Sequence, residues 1–256
     1  MNRIAILSAA LACVCFQTPA KADLVVVPGA LESVEGNSGN GFPFNIGLFG
    51  IGSMRYQQIY SASEFSTGGI VDDIRFRREE DETGFTDVLL DMQINLSYAA
   101  TSVLSPSATF ADNIGSGLVT VFDGTMFISS SGVGTPNPFD IIVNVANLFN
   151  YDPSQGDLLL DIFMRNAPAT SQFDATGFGE QSVTTRIYSS SAVGNGDVND
   201  TVGQTNLSGP ASDPYGLVTA FSIVDNSAAV PEPSSLTLLT LGLGGLAVRR
   251  FRRRET

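Results

Sequence analysis

Between Asp87 and Leu96 the chain alternates. Val88, Leu90, Met92, Ile94 and Leu96 fall on one parity, and Asp87, Asp91, Gln93 and Asn95 on the other, with Leu89 the exception. Successive side chains of a strand point to opposite faces, so this pattern buries one face and wets the other. A helix would scatter the same residues around its circumference. Further strand-like runs occupy Met54 to Tyr60, Ile70 to Phe76, Leu118 to Ile128, Phe139 to Val145, Leu158 to Met164, Val183 to Tyr188 and Leu217 to Val224. No long amphipathic helix interrupts them. Gly132, Pro136, Pro138, Pro153, Gly156 and Gly209-Pro210 mark loops between runs, and Asp123-Gly124 marks a hairpin or bulge inside one. The stretch Val193 to Pro214, rich in Gly, Asn, Asp and Ser, reads as a long surface loop. Eight or more strands in about 200 residues predict an all-β fold, a single jelly-roll-like β-sandwich over residues 23–229.

The two ends carry different signals. Arg3, the apolar stretch Ile4 to Phe16 and the small-residue site Ala20-Lys21-Ala22 together predict a signal peptide over residues 1–22, removed by signal peptidase before Asp23. Cys13 and Cys15 leave with it. The exported body then has no cysteine, crosses into an oxidising compartment without a disulfide and is held by its core alone. At the other end, Pro231-Glu232-Pro233 precedes an apolar run, Leu236 to Val248, and a basic cluster of Arg249, Arg250, Arg252, Arg253 and Arg254. The two prolines fix φ and hold the segment extended beside a solvated Glu232. The apolar run spans about 20 Å as a helix, short of a hydrocarbon core of about 30 Å. Gly242, Gly244 and Gly245 allow close backbone approach by another membrane protein. The arginines stop transfer and keep the C-terminus cytoplasmic. Residues 230–256 are therefore expected to form a transmembrane tail at the inner membrane.

Those three parts in that order resemble the PEP-CTERM sorting signal of Gram-negative bacteria, with Pro231, Glu232 and Pro233 as its signature tripeptide. The resemblance implies processing by an exosortase, a membrane-embedded cysteine transpeptidase-like enzyme. It implies a final location at the cell surface, in the outer envelope or in the extracellular matrix, often alongside exopolysaccharide production. It covers the tail alone and says nothing of what the body does. Arg55 to Tyr60, Phe149 to Pro153 and Leu158 to Asp161 are similar to a body type recurring among PEP-CTERM proteins, one to which no activity is attached.

Charge and composition narrow the body's chemistry. Its cations are six arginines, Arg55, Arg75, Arg77, Arg78, Arg165 and Arg186, against 24 carboxylates, a net charge near −18. Such a surface repels nucleic acid and anionic lipid and favours solubility. The chain has no histidine, which excludes His-dependent triads and imidazole ligands. Without a mature cysteine, thiolate chemistry and Cys-ligated zinc go as well. Paired carboxylates remain: Asp72-Asp73, the run Glu79-Glu80-Asp81-Glu82, and Asp152 with Asp157 and Asp161. A glycoside hydrolase needs two of them about 5 to 9.5 Å apart across a cleft. The Glu79 to Glu82 run, next to Arg75, Arg77 and Arg78, reads as a solvated charge cluster. The absence of tryptophan removes the usual sugar platform.

Asn195, Asp197, Asn199 and Asp200 have the spacing of an EF-hand loop but place Asp200 where Gly is needed and Asn206 where Glu is needed. An irregular loop site for calcium is the metal candidate, against an Asx-rich turn. The leading expectation is a surface-sorted, non-catalytic β-sandwich of the envelope or exopolysaccharide matrix, with no catalytic residue and no cofactor. The alternatives are a carbohydrate-binding module, with Tyr56, Tyr60, Tyr98, Tyr151, Tyr188 and Tyr215 as its platforms, and a carboxylate-dependent glycoside hydrolase.

Overall fold

A computed structural model describes residues 22–177, 183–205 and 215–225. The described strands are β1 (Ala22–Val27), β2 (Ser38–Asn40), β3 (Met54–Tyr60), β4 (Gly69–Phe76), β5 (Phe85–Tyr98), β6 (Val119–Ser130), β7 (Ile141–Tyr151), β8 (Leu158–Met164), β9 (Phe173–Ala175), β10 (Thr184–Tyr188), β11 (Gln204–Thr205) and β12 (Thr219–Val224). Helical structure among these residues is confined to short 3-10 turns, none long and apolar enough to cross a membrane. The signal segment and the tail, with its apolar run 236–248, lie outside the described residues.

Eight of the strands pair in a nested series, first with last: β1 with β12, β3 with β8, β4 with β7, and β5 with β6, all antiparallel. This pairing runs from the two ends of the body inward to β5 and β6. It yields two open sheets, ordered β1-β12-β4-β7 and β11-β10-β3-β8-β5-β6, with β2-β9 as a small separate ladder. One apolar cluster draws on both larger sheets. Val71, Ile74, Phe76, Val143 and Phe221 come from the first, and Tyr56, Tyr60, Leu90, Ile94, Leu160 and Ile162 from the second. The Tyr60 and Phe221 rings meet edge to face at 5.0 Å, and the Tyr60 hydroxyl shares a 2.8 Å hydrogen bond with Thr219 Oγ1. Each fully buried aliphatic or aromatic side chain contributes about 1.5–3 kcal/mol.

β5 follows the alternation. Leu90, Met92, Ile94 and Leu96 are sealed, Val88 is half-buried, and Leu89 stands in solvent. The expected break at Asp123-Gly124 is not a hairpin. Gly124 pairs with Met92 in mid-strand, and the register shifts at Ile94/Asn95 instead, opposite Phe122 and Thr120. Alternation fails in β3 and β8, where nearly every residue is buried. The cause is the segment between β5 and β6, which folds over their outer face. Val103 and Phe110 close on Ile59, Leu159 and Ile187. The Gln57 amide donates to Phe110 O (3.1 Å) and accepts from Asn113 Nδ2 (3.0 Å). The expected surface loop after Val193 is also tied down in part: Val202 bridges to Thr109 and β11 pairs with β10, while residues 206–214 lie outside the described set.

Candidate functional site

Beyond Phe76 the chain turns two arginines inward. Arg77 is fully buried and ion-paired to Asp174 of β9 at 2.6 Å. Its Nη2 also donates to Leu31 O (2.8 Å) and Val34 O (2.6 Å), and its guanidinium lies 4.7 Å from the Phe139 ring centre. Asp174 Oδ1 accepts the Gly36 N–H at 2.8 Å. Any Cβ at position 36 would run into the Ala175 carbonyl, so only glycine allows this approach. The Glu79 N–H donates to Gln172 O at 3.0 Å. These fixings bring one carboxylate oxygen each of Glu35, Glu79 and Asp174 within 4.8 Å of one another. Both carboxylate oxygens of Glu35 and Oε2 of Glu79 are closed off from solvent.

Three carboxylates around one guanidinium carry an excess of negative charge. Burial first, and then the charge of Asp174, push Glu35 from 4.5 up to about 7, while Arg77 pulls it back. Burial, followed by Asp174 and Glu35, pushes Glu79 from 4.5 up to about 7 as well. In a protein without histidine, this pair exchanges protons near neutral pH. The donors are hard oxygens, of the kind that suits Ca²⁺ or Mg²⁺ rather than softer metals.

The expected solvated cluster is therefore corrected. Arg77 and Arg78 are among the largest fully buried side chains, and Glu79, Glu80 and Glu82 are half-buried, leaving Asp81 exposed. Arg78 donates to Gly132 O at 2.8 Å, and Asn137 Nδ2 bridges the Arg78 and Glu79 carbonyls at 3.1 and 3.0 Å. Arg78 Nε and Nη1 are buried without a hydrogen-bond partner, so this guanidinium is enclosed at a cost rather than solvated. In sequence, the acidic run signalled Glu79. Glu35 and Asp174 were isolated acids with no local pattern, and only the fold brings them to it.

A second feature lies between the turns at Phe42–Ser53 and Tyr188–Asp197, a cleft of about 460 Å³. Its wall is aromatic: Phe42 packs 5.1 Å from Tyr188 and 5.5 Å, edge on, from Phe49, which is 58% exposed. The buried Arg186 guanidinium sits 5.5 Å from the Phe42 ring centre and 4.7 Å from that of Tyr188, and donates to Asn40 Oδ1 at 2.6 Å. Ser191, Asn195 and Asp197 form the polar rim.

Two of the calcium candidates thus border this cleft. Asp200 lies buried below and spends its carboxylate on the loop's own backbone, accepting N–H bonds from Asn195 and Gly196 at 2.8 Å and from Asp197 at 3.3 Å. Asp197 Oδ1 in turn accepts the Asn199 N–H at 2.7 Å. This is the geometry of Asx turns.

Four of the other candidate carboxylates are also engaged. Asp73 holds Arg75, Asp161 holds Arg55 through two bonds of 3.1 and 2.8 Å, Asp157 accepts the Ala62 N–H, and Asp152 caps the turn at Ser154. Of the six tyrosines proposed as platforms, Tyr56, Tyr60 and Tyr151 are fully buried and Tyr98 nearly so. Large amphipathic rings gain more from the core, with the hydroxyl satisfied internally, than from solvent. Tyr188 and Tyr215 are the two left half-exposed. The tail residues Pro231, Glu232, Pro233, Arg249, Arg250, Arg252, Arg253 and Arg254 lie outside the described residues.

Two open antiparallel sheets around a shared core, with arginines spent as internal ties, make this an all-β protein. It carries a PEP-CTERM sorting motif: residues 229–254 match the family model of the PEP-CTERM protein-sorting motif. No curated protein and no solved structure matches the chain. The motif implies an exosortase as processing partner, and export with membrane-anchored sorting toward the cell surface.

Proposed function

We propose that this is an exported, non-catalytic surface protein of the cell envelope or exopolysaccharide matrix, delivered by signal peptidase and exosortase processing. The observation that carries the reading is the sorting motif at residues 229–254. The nested pairing of eight strands across two sheets supports a jelly-roll sandwich as the delivered body. The non-catalytic reading rests on how the carboxylates are used. Asp73, Asp152, Asp157 and Asp161 hold backbone or arginine partners. Among the described residues, the acidic centre of Glu35, Glu79 and Asp174 is built around an internal ion pair, Asp174 with Arg77. A core without disulfides and a strongly acidic exterior suit a protein that stays soluble once released.

Intact mass of the protein from cells with and without exosortase tests the reading. The expected result is loss of mass at both ends, the C-terminal loss dependent on the enzyme. A chain that keeps its arginine tail in both strains would instead be a plain inner-membrane anchor. A second reading, a carbohydrate-binding module of the cell surface, is favoured by the aromatic cleft beside Tyr188.

A further inference from the structure

We propose that the cleft between the Phe42–Ser53 and Tyr188–Asp197 turns binds a glycan chain of neutral sugars, with Phe49 and Phe42 as its stacking wall. The inference rests on the exported, surface-sorted reading above, which brings the body among extracellular polysaccharides.

The lining has the two-sided character of a pyranose ring. One side presents aromatic carbon: Phe49 is 58% exposed and braced edge on against Phe42, which packs in turn on Tyr188. The C–H face of a sugar desolvates against such rings. The second segment adds short polar groups to the lining, Ser191, Asn195 and Asp197. A volume of about 460 Å³ falls in the range of small-ligand clefts, about 300–1,000 Å³. Part of the wall is pre-organised: Arg186 stacks beneath both Phe42 and Tyr188, so these two rings have little side-chain freedom left to lose on binding. The rim is fixed too, because Asp200 ties the Asn195–Asp197 backbone through its carboxylate.

Charge selects among glycans. The cleft is lined by one charged side chain, the carboxylate of Asp197, on a body that is strongly acidic overall. A uronate polymer, a phosphorylated sugar or a nucleic acid meets repulsion with no lining cation to offset it. A neutral hexose chain meets none, and its hydroxyls can donate to Asp197.

The test uses the intact protein purified from its producing cells. Binding is measured by calorimetry and affinity electrophoresis against soluble neutral glucan and galactan oligosaccharides, with polygalacturonate as the charged comparison. Saturable binding of a neutral chain is expected, with polygalacturonate unbound. Phe49→Ala should weaken that binding by about tenfold or more, while Phe49→Tyr retains it. Gly52 also borders the cleft, and no atom stands within 4 Å of where its Cβ would lie, so Gly52→Leu provides a blocking variant that leaves the packed structure untouched. Unchanged melting temperatures would show that both variants fold. Absence of saturable binding, preference for polygalacturonate, or binding indifferent to both Phe49→Ala and Gly52→Leu would overturn the assignment. A correctly processed protein that binds no glycan sinks the cleft and leaves the sorting function standing. A glycan binder that keeps its tail in exosortase-positive cells does the reverse.

Discussion

Two arginines of this protein, Arg55 and Arg77, sit in opposite electrostatic circumstances. Arg55 meets one acid, Asp161, through a two-bond fork, and its guanidinium is held between the Phe110 and Phe163 rings at 4.7 and 4.4 Å. The charges match one to one, and the side chain keeps slight access to solvent, 13%. Arg77 is sealed and meets Asp174, with Glu35 and Glu79 crowding the same point. The first centre is balanced, and the second is overloaded with carboxylates and relieved by protons. A buried ion pair is therefore not one kind of object. What surrounds it decides whether it responds to pH.

The largest expected effect comes from removing the cation of the overloaded centre. Arg77→Met strips the crowded acidic centre of the guanidinium that pairs with Asp174 and frees the Leu31 and Val34 carbonyls, and should cost about 3–5 kcal/mol in urea unfolding at pH 8. Arg55→Met takes the cation from one acid rather than from a cluster of three, so its cost should be smaller. An equal or larger loss for Arg55→Met would erase the distinction between the centres. The Arg77→Met loss should shrink toward pH 5, where Glu35 and Glu79 take up protons.

Next in size is the pH dependence itself. Glu35 and Glu79 titrate near 7 in the folded chain against an ordinary 4.5, so between those values the folded state holds more protons than the unfolded one. Their stabilising contribution is whole below about pH 4.5 and is lost as pH rises through 7. The double variant Glu35→Gln, Glu79→Gln should flatten that slope and raise stability at pH 8 by about 1–2 kcal/mol. This is less than the full shifts imply, because both residues as a whole are only half-buried. Thermal unfolding at pH 5, 6.5 and 8 measures it, and a native slope of the opposite sign would show that the centre is not relieved by protons.

The smallest effect belongs to a third centre, Arg165, which pairs with Asp91 and Asp123 at 2.8 Å on open surface. Asp123→Asn there should change stability by about 0.2–1 kcal/mol and less in high salt. A loss above that range would mean that exposure does not rank these centres.

Much of the scaffold was legible because its signal is local. β3 and β8 coincide with runs read from the chain, and the alternation in β5 named its buried face. Where a strand is covered on both sides, as β3 and β8 are beneath Phe110 and Val103, no period survives to show the second cover. β1, though rich in valine, was missed as a strand beside the signal segment, and β2, β9 and β11 are two or three residues long, too short for a period to register.

The cleft and the acidic centre were illegible for a different reason. Phe49, Tyr188 and Asn195, like Glu35, Glu79 and Asp174, come from distant segments that only strand pairing brings together.

The sequence by itself determined the all-β class, the sorting motif at the C-terminus and the acidic, imidazole-free chemistry, because strand periodicity, a linear motif and residue counts are all properties of neighbours along the chain. The tertiary structure alone decided which arginines are buried, which tyrosines are core, which carboxylates are brought together and where a cleft forms. Burial and electrostatic coupling depend on distances through space, and those exist only once the strands have paired and the sheets share a core.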